Sequence, residues 1–138
     1  MFRFPGVLRR LRIRSGLLQK TIAHNLRLDP GQFCAVERGV RRPFDTETID
    51  RVAELLDLPA RERHDLAWAA HHDRLVKQAM RDGATNEEVE LYSLCLETLH
   101  NLRGEQRCEL IRNVRKLNES AKLLASLMHM DLQLEGRQ

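Results

Sequence analysis

Apolar residues in this chain recur every three to four positions, segment after segment, and nowhere alternate in twos over a useful length. That period belongs to a helix with one buried face. Short punctuation separates the segments: Gly16, Asp29-Pro30, Gly39 with Pro43, Leu58-Pro59, Asp82-Gly83 and Gly104. The pattern predicts an all-α protein of seven helices. Aromatics are only 4% of the residues, so Leu, Ile, Val, Ala and Met must fill the core, a palette that favours helices over sheets.

The first predicted helix runs from about Pro5 to Ser15, with Val7, Leu8, Leu11 and Ile13 inward, and Gly16 closes it. The second covers about Leu18 to Leu26, with Ile22, Ala23 and Leu26 on one face. The third has the clearest start signal: Asp29 as cap, Pro30 at the first helical position and Gln32 three residues past the cap. It turns Phe33 and Val36 inward and ends at Gly39. A fourth helix starts at Asp45 or Thr46. A fifth runs from about Ala60 into the 70s, with Leu66, Ala67, Trp68, Ala70 and Leu75. Thr85 and Glu88 have capping-box spacing at the head of a sixth, which reaches about Leu102. A seventh covers about Glu105 to Leu134.

The net charge of +3 conceals an asymmetry. Residues 1–44 hold ten Lys+Arg and two Asp+Glu, a balance of +8. Residues 45–138 hold 13 and 18, a balance of −5. A basic first third points to a polyanion partner for that part.

Two short helices joined by a brief turn, the second with its own cap, form a helix-turn-helix unit. Leu11-Arg12 with Gly16-Leu17, then Gln19, Ile22-Ala23, Val36-Glu37-Arg38-Gly39, Arg41-Arg42-Pro43 and the run Arg51 to Leu58 resemble the Cro and repressor-like (Xre-type) helix-turn-helix family. The resemblance spans about residues 5–70. It implies an ion pair between Arg12 and Glu37, a phosphate contact at Gln19, and a phosphate grip by Arg38, Arg41 and Arg42. Lys20, beside Gln19, is grouped with these DNA-facing residues. The chemistry agrees, since arginine forks suit phosphate oxygens and helix N-termini attract anions.

The sequence departs from that family where bases are read. Pro30, Gly31, Gln32 and Ala35 occupy the outward positions of the third helix, and only Gln32 has a side-chain donor for a base edge. Leu18 replaces the usual small polar cap of the second helix. Specificity then rests on Gln32, apolar contact, neighbouring arginines and DNA shape; the alternative is a domain that no longer reads DNA.

The seventh helix carries a seam in 4-3-4-3-4 steps: Leu110, Val114, Leu117, Ala121, Leu124 and Met128, with Leu127 on an adjoining stripe. A helical hairpin cannot bury so wide an apolar surface alone. The expectation is a helix-turn-helix domain of five helices over residues 1–80 and a dimerising hairpin over 81–138. Together they suggest a cytoplasmic, homodimeric transcriptional repressor on a palindromic site of double-stranded DNA. The alternative is a protein-interaction module on the same scaffold, an antitoxin or antiactivator that binds a protein partner.

The remaining residues suggest no catalysis, cofactor or metal. The chain has no P-loop, G-x-S-x-G or H-E-x-x-H pattern. His71 and His72 point about 100° apart on a helix and read as surface or interface histidines. Cys34, Cys95 and Cys108 have unrelated spacings and read as packing residues in a reducing compartment. No apolar run suits a membrane span or a signal peptide.

Overall fold

Seven helices and no strand make up the computed structural model, which describes residues 2–137: α1 Phe4–Ser15, α2 Gln19–Asn25, α3 Pro30–Glu37, α4 Thr46–Leu55, α5 Ala60–Arg81, α6 Asn86–Asn101 and α7 Glu105–Glu135. The chain is therefore all-α. It divides into two compact units, Met1–Leu96 and Glu97–Gln138.

The first unit is built on one core. Leu8 and Leu11 of α1, Ile22 and Ala23 of α2, Phe33 and Val36 of α3, Ile49, Val52 and Ala53 of α4, and Leu66, Ala69 and Ala70 of α5 are all buried together. Phe4, one residue before the expected start of α1, is also in this core at 1% exposure. Ile13 and Leu75, expected inward, are instead exposed, because each lies off the stripe that meets the neighbouring helices. Phe44 lies edge-on to Phe4 with ring centroids 6.1 Å apart. It also packs 5.6 Å from the ring of Phe33. The loop between α3 and α4 is thereby pinned to the core.

Local caps shape the ends. The Asp45 carboxylate accepts the Thr48 N–H at 2.8 Å and starts α4. Thr85 and Glu88 exchange reciprocal bonds, Glu88 N–H to Thr85 Oγ1 at 3.2 Å and Thr85 N–H to Glu88 Oε2 at 3.4 Å. The cap of α1 comes from far away. Asp73, on α5, accepts the Arg3 N–H and the Phe4 N–H, each at 2.8 Å.

Asp73 belongs to a buried polar relay. The Nδ1 of His72 lies 2.8 Å from Asp73 Oδ1, and its Nε2 lies 2.9 Å from Ser93 Oγ on α6. His72 is fully buried, which corrects the expectation of a surface or interface histidine; His71 beside it is exposed. The physical reason is that hydrogen-bonded partners satisfy both ring nitrogens inside the fold. Cys34 is half-buried, but Cys95 and Cys108 are exposed, so the latter two are not packing residues.

The second unit holds the end of α6 and all of α7. Arg107 ties the turn before α7, its Nε donating to the Leu102 carbonyl at 2.8 Å and its Nη2 to the Leu99 carbonyl at 2.7 Å. No residue of α7 is buried. Of the seam residues, Leu110 is half-buried, and Val114, Leu117, Leu124, Leu127 and Met128 are exposed. Among the described residues, no helix is long and apolar enough to cross a membrane.

Candidate nucleic-acid interface

The N-terminal end of α3 is shaped by its cap, a proline and a glycine. Asp29 sits in extended conformation before Pro30, and its Oδ2 accepts the Gln32 N–H at 3.3 Å. Pro30 needs no partner for its missing N–H, so the first turn loses nothing. A Cβ built on Gly31 would lie 2.9 Å from Asp29 Oδ2, so glycine lets the cap approach closely. Pro30, Gly31 and Gln32 are all exposed. The Asp29 carboxylate and carbonyl take the Gln32 N–H, and the same carbonyl takes the Phe33 N–H, so this end is capped by the chain itself.

The far end of α3 sets the basic loop. The Ala35 carbonyl accepts the Val40 N–H at 2.9 Å and the Arg41 N–H at 3.2 Å. Gly39 makes the reversal at φ 78, a left-handed conformation that suits glycine. The Ala35 side chain is half-buried, and Arg38, Arg41 and Arg42 are exposed. Gln19 opens α2 half-buried, and Lys20 is exposed. Leu18 precedes them in extended conformation and gives no side-chain cap to α2.

A buried pair holds α3 against α1. Arg12 Nε donates to Glu37 Oε2 at 2.7 Å, and Nη2 donates to Oε1 at 2.6 Å, a bidentate fork. The Arg12 side chain is 13% exposed and that of Glu37 is 3% exposed. Arg12 Nη1 also donates to the Leu17 carbonyl at 3.2 Å, at the entry to α2. One guanidinium thus ties α1 to α3 and to the loop that leads into α2. The hydrogen bond to Glu37 raises the Arg12 pKa, against a smaller opposing effect of burial, and Glu37's charge adds to the rise.

Gln32, Arg41 and Arg42 line one open hollow of about 480 Å³ together with Val36 and Val40. Lys77 of α5 lines the same hollow. Lys77 was not among the sequence-derived candidates, and neither were Arg74 and Arg81. The available signal was their spacing of three and four residues, which puts three cations on one helix face. The summed negative charge of residues 45–138 masked it. Gln19, Lys20 and Arg38 do not line this hollow.

Among the described residues no group of histidine, cysteine and carboxylate side chains could hold a metal. No curated protein and no solved structure matches the chain. Residues 4–66, a little under half of the chain, match the family described as "Helix-turn-helix domain". The match covers α1 to α4 and the start of α5. With α2 and α3 joined by a short turn, and the cap and basic loop of α3 in place, residues 4–66 of this chain have the arrangement of the helix-turn-helix domain whose family model they match.

Proposed function

We propose that the chain is a sequence-specific DNA-binding transcriptional regulator, a repressor that acts in the cytoplasm as a homodimer on a palindromic site. One observation carries the reading: the capped, exposed end of α3 presents Gln32 beside Arg41 and Arg42 round a single hollow. In this reading α3 enters the major groove and Gln32 meets base edges, while Pro30, Gly31 and Ala35 make apolar approach. Gln19, Lys20, Arg38, Arg41 and Arg42 take phosphates. No side chain is assigned to catalysis or to a cofactor.

Dimerisation is assigned to the hairpin over 81–138, through Leu110, Val114, Leu117, Leu124, Leu127 and Met128. The exposure of this seam in the single chain supports that assignment, since a second α7 would cover it. Selection from a random duplex pool at physiological salt tests the whole reading. The expected result is one enriched palindrome with half-sites about one helical turn apart. Leu117→Glu/Leu124→Glu should shift the sedimentation mass from dimer to monomer and weaken binding to that palindrome.

The same exposed seam, with the donor-poor face of α3, favours a second reading, a module that masks a protein partner. A stoichiometric protein complex together with an unenriched DNA pool would decide for it.

A further inference from the structure

The matched family segment stops at residue 66, yet α5 continues to Arg81. The extra turns of α5 carry Arg74, Lys77 and Arg81 at steps of three and four residues, so the three side chains share a face over about 10 Å of helix. These residues do not stand alone. They line a second open hollow, of about 440 Å³, together with Arg42 of the loop after α3. Lys77 and Arg42 also line the hollow that contains Gln32 and Arg41. The two hollows therefore join into one basic track that starts at α3 and runs along α5.

The track is tied to the core at its middle. Arg74 Nη2 donates to the Phe44 carbonyl, while the Phe44 ring packs against Phe4 and Phe33. That fixes the loop bearing Arg41 and Arg42 beside α5. The acidic side chain in the second hollow is Asp45, whose carboxylate is occupied by the Thr48 N–H at the head of α4. Asp82, at the end of α5, accepts from Gln78 Nε2 at 3.0 Å. Four cations facing one hydrogen-bonded carboxylate make a surface for a polyanion with regularly spaced charges.

We propose that Lys77 and Arg81 on α5 form a second phosphate-binding track, which takes the phosphodiester backbone of duplex DNA flanking the site that α3 enters. The proposal rests on the DNA-binding reading above and extends it beyond the helix-turn-helix segment. The track lengthens the contacted duplex without reading its sequence. Its signature is therefore electrostatic: each phosphate contact releases counterions and steepens the dependence of affinity on salt.

The test uses the full chain with Lys77→Gln, Arg81→Gln and the double variant. Binding is followed by fluorescence anisotropy on mixed-sequence duplexes of about two and about three helical turns, between roughly 50 and 200 mM salt. The wild type should prefer the longer duplex. The double variant should lose that preference, and its log-log salt slope on the longer duplex should be shallower by roughly 2 per bound protomer, or 1 per residue. Arg81 is exposed, so Arg81→Gln alone, at roughly 1, carries the test if circular dichroism shows that Lys77→Gln disturbs the fold. An unchanged slope and length preference in the double variant, alongside a flattened slope in Arg41→Gln/Arg42→Gln, overturns the proposal and leaves the DNA reading standing. A wild type without salt-dependent affinity for any duplex overturns both.

Discussion

The carboxylate of Asp73, near the middle of α5, accepts the backbone N–H of Phe4 at 2.8 Å, so the first helix of the chain is capped by a residue 69 positions away. Nothing in the first turn of α1 does this work: it has no acidic residue, and Arg3 offers no side-chain cap. The same carboxylate takes the Arg3 N–H and faces His72, itself bonded to Ser93 of α6. One side chain therefore couples the N-terminus of α1 to α5, and through His72 to α6.

Replacing Asp73 with Ala should be among the most destabilising single changes in the first unit. It strands the Phe4 N–H in a buried site and removes the partner of a fully buried imidazole. The expected loss is roughly 3 kcal/mol, the scale for buried donors left without acceptors. Urea denaturation followed by circular dichroism measures it; a loss below about 1 kcal/mol would mean that water replaces the cap.

Glu37→Ala should cost about 3 kcal/mol, because it leaves the largely enclosed guanidinium of Arg12 without its fork. The double variant Arg12→Ala/Glu37→Ala should lose much less than the sum of the two single variants. A double-mutant cycle reads that coupling directly. Full additivity would show that the pair contributes nothing beyond its separate packing.

Arg27 sits in the turn between α2 and α3 at φ 56, a left-handed conformation that costs residues with a Cβ. It is exposed, so Arg27→Gly removes strain without opening the core. Glycine's larger unfolded-state entropy offsets part of the gain, and the net should be a stabilisation of about 0.5 kcal/mol. A melting temperature that falls at neutral pH would contradict it.

Acid should weaken the first unit through two carboxylates. Asp45 is held below its ordinary pKa, first by the side-chain hydrogen bond from Thr48, then by the Thr48 backbone N–H and by Arg74 and Arg51. Glu62 is lowered by its hydrogen bond from Arg14 and by the charges of Arg14 and Arg10. A depressed folded-state pKa means that the unfolded chain takes up the proton first. The associated stability is present above the ordinary carboxylate range and is lost as pH falls through the lowered folded-state values. Asp45→Asn keeps an oxygen for the cap but does not titrate. Its denaturation midpoint should fall less steeply between about pH 4 and pH 2 than that of the wild type. Parallel curves would show that the cap makes no charge-dependent contribution.

Gln32 and the loop arginines should separate into distinct binding phenotypes. Arg41→Gln/Arg42→Gln should weaken binding to all duplexes alike and flatten the salt slope by roughly 2 per bound protomer. Gln32→Ala should leave that slope unchanged while relaxing base preference at one position of the selected site, at a discrimination cost of about 1–3 kcal/mol. Competition binding against single-base variants of that site distinguishes them. Equal effects on slope and preference from both changes would remove the division of labour.

The local features of this fold were open to reading in the chain. Helix spans follow from the three-to-four periodicity, and Asp29-Pro30 before Gln32 marks the start of α3 because this cap acts on an N–H only three residues on. The helix-turn-helix unit was legible for the same reason: it is a run of local signals in a fixed order. Contacts across sequence distance left no such trace. His72 read as a surface or interface histidine beside His71, and Asp73 drew no reading at all, because burial depends on which face of α5 meets α1 and α6. Lys77 and Arg81 were lost in the negative sum of residues 45–138, because net charge ignores where a helix points. Periodicity and capping chemistry determined the helices; only their packing, which brings side chains from distant segments within hydrogen-bond reach, decided that α5 both caps α1 and extends the basic surface of the loop after α3.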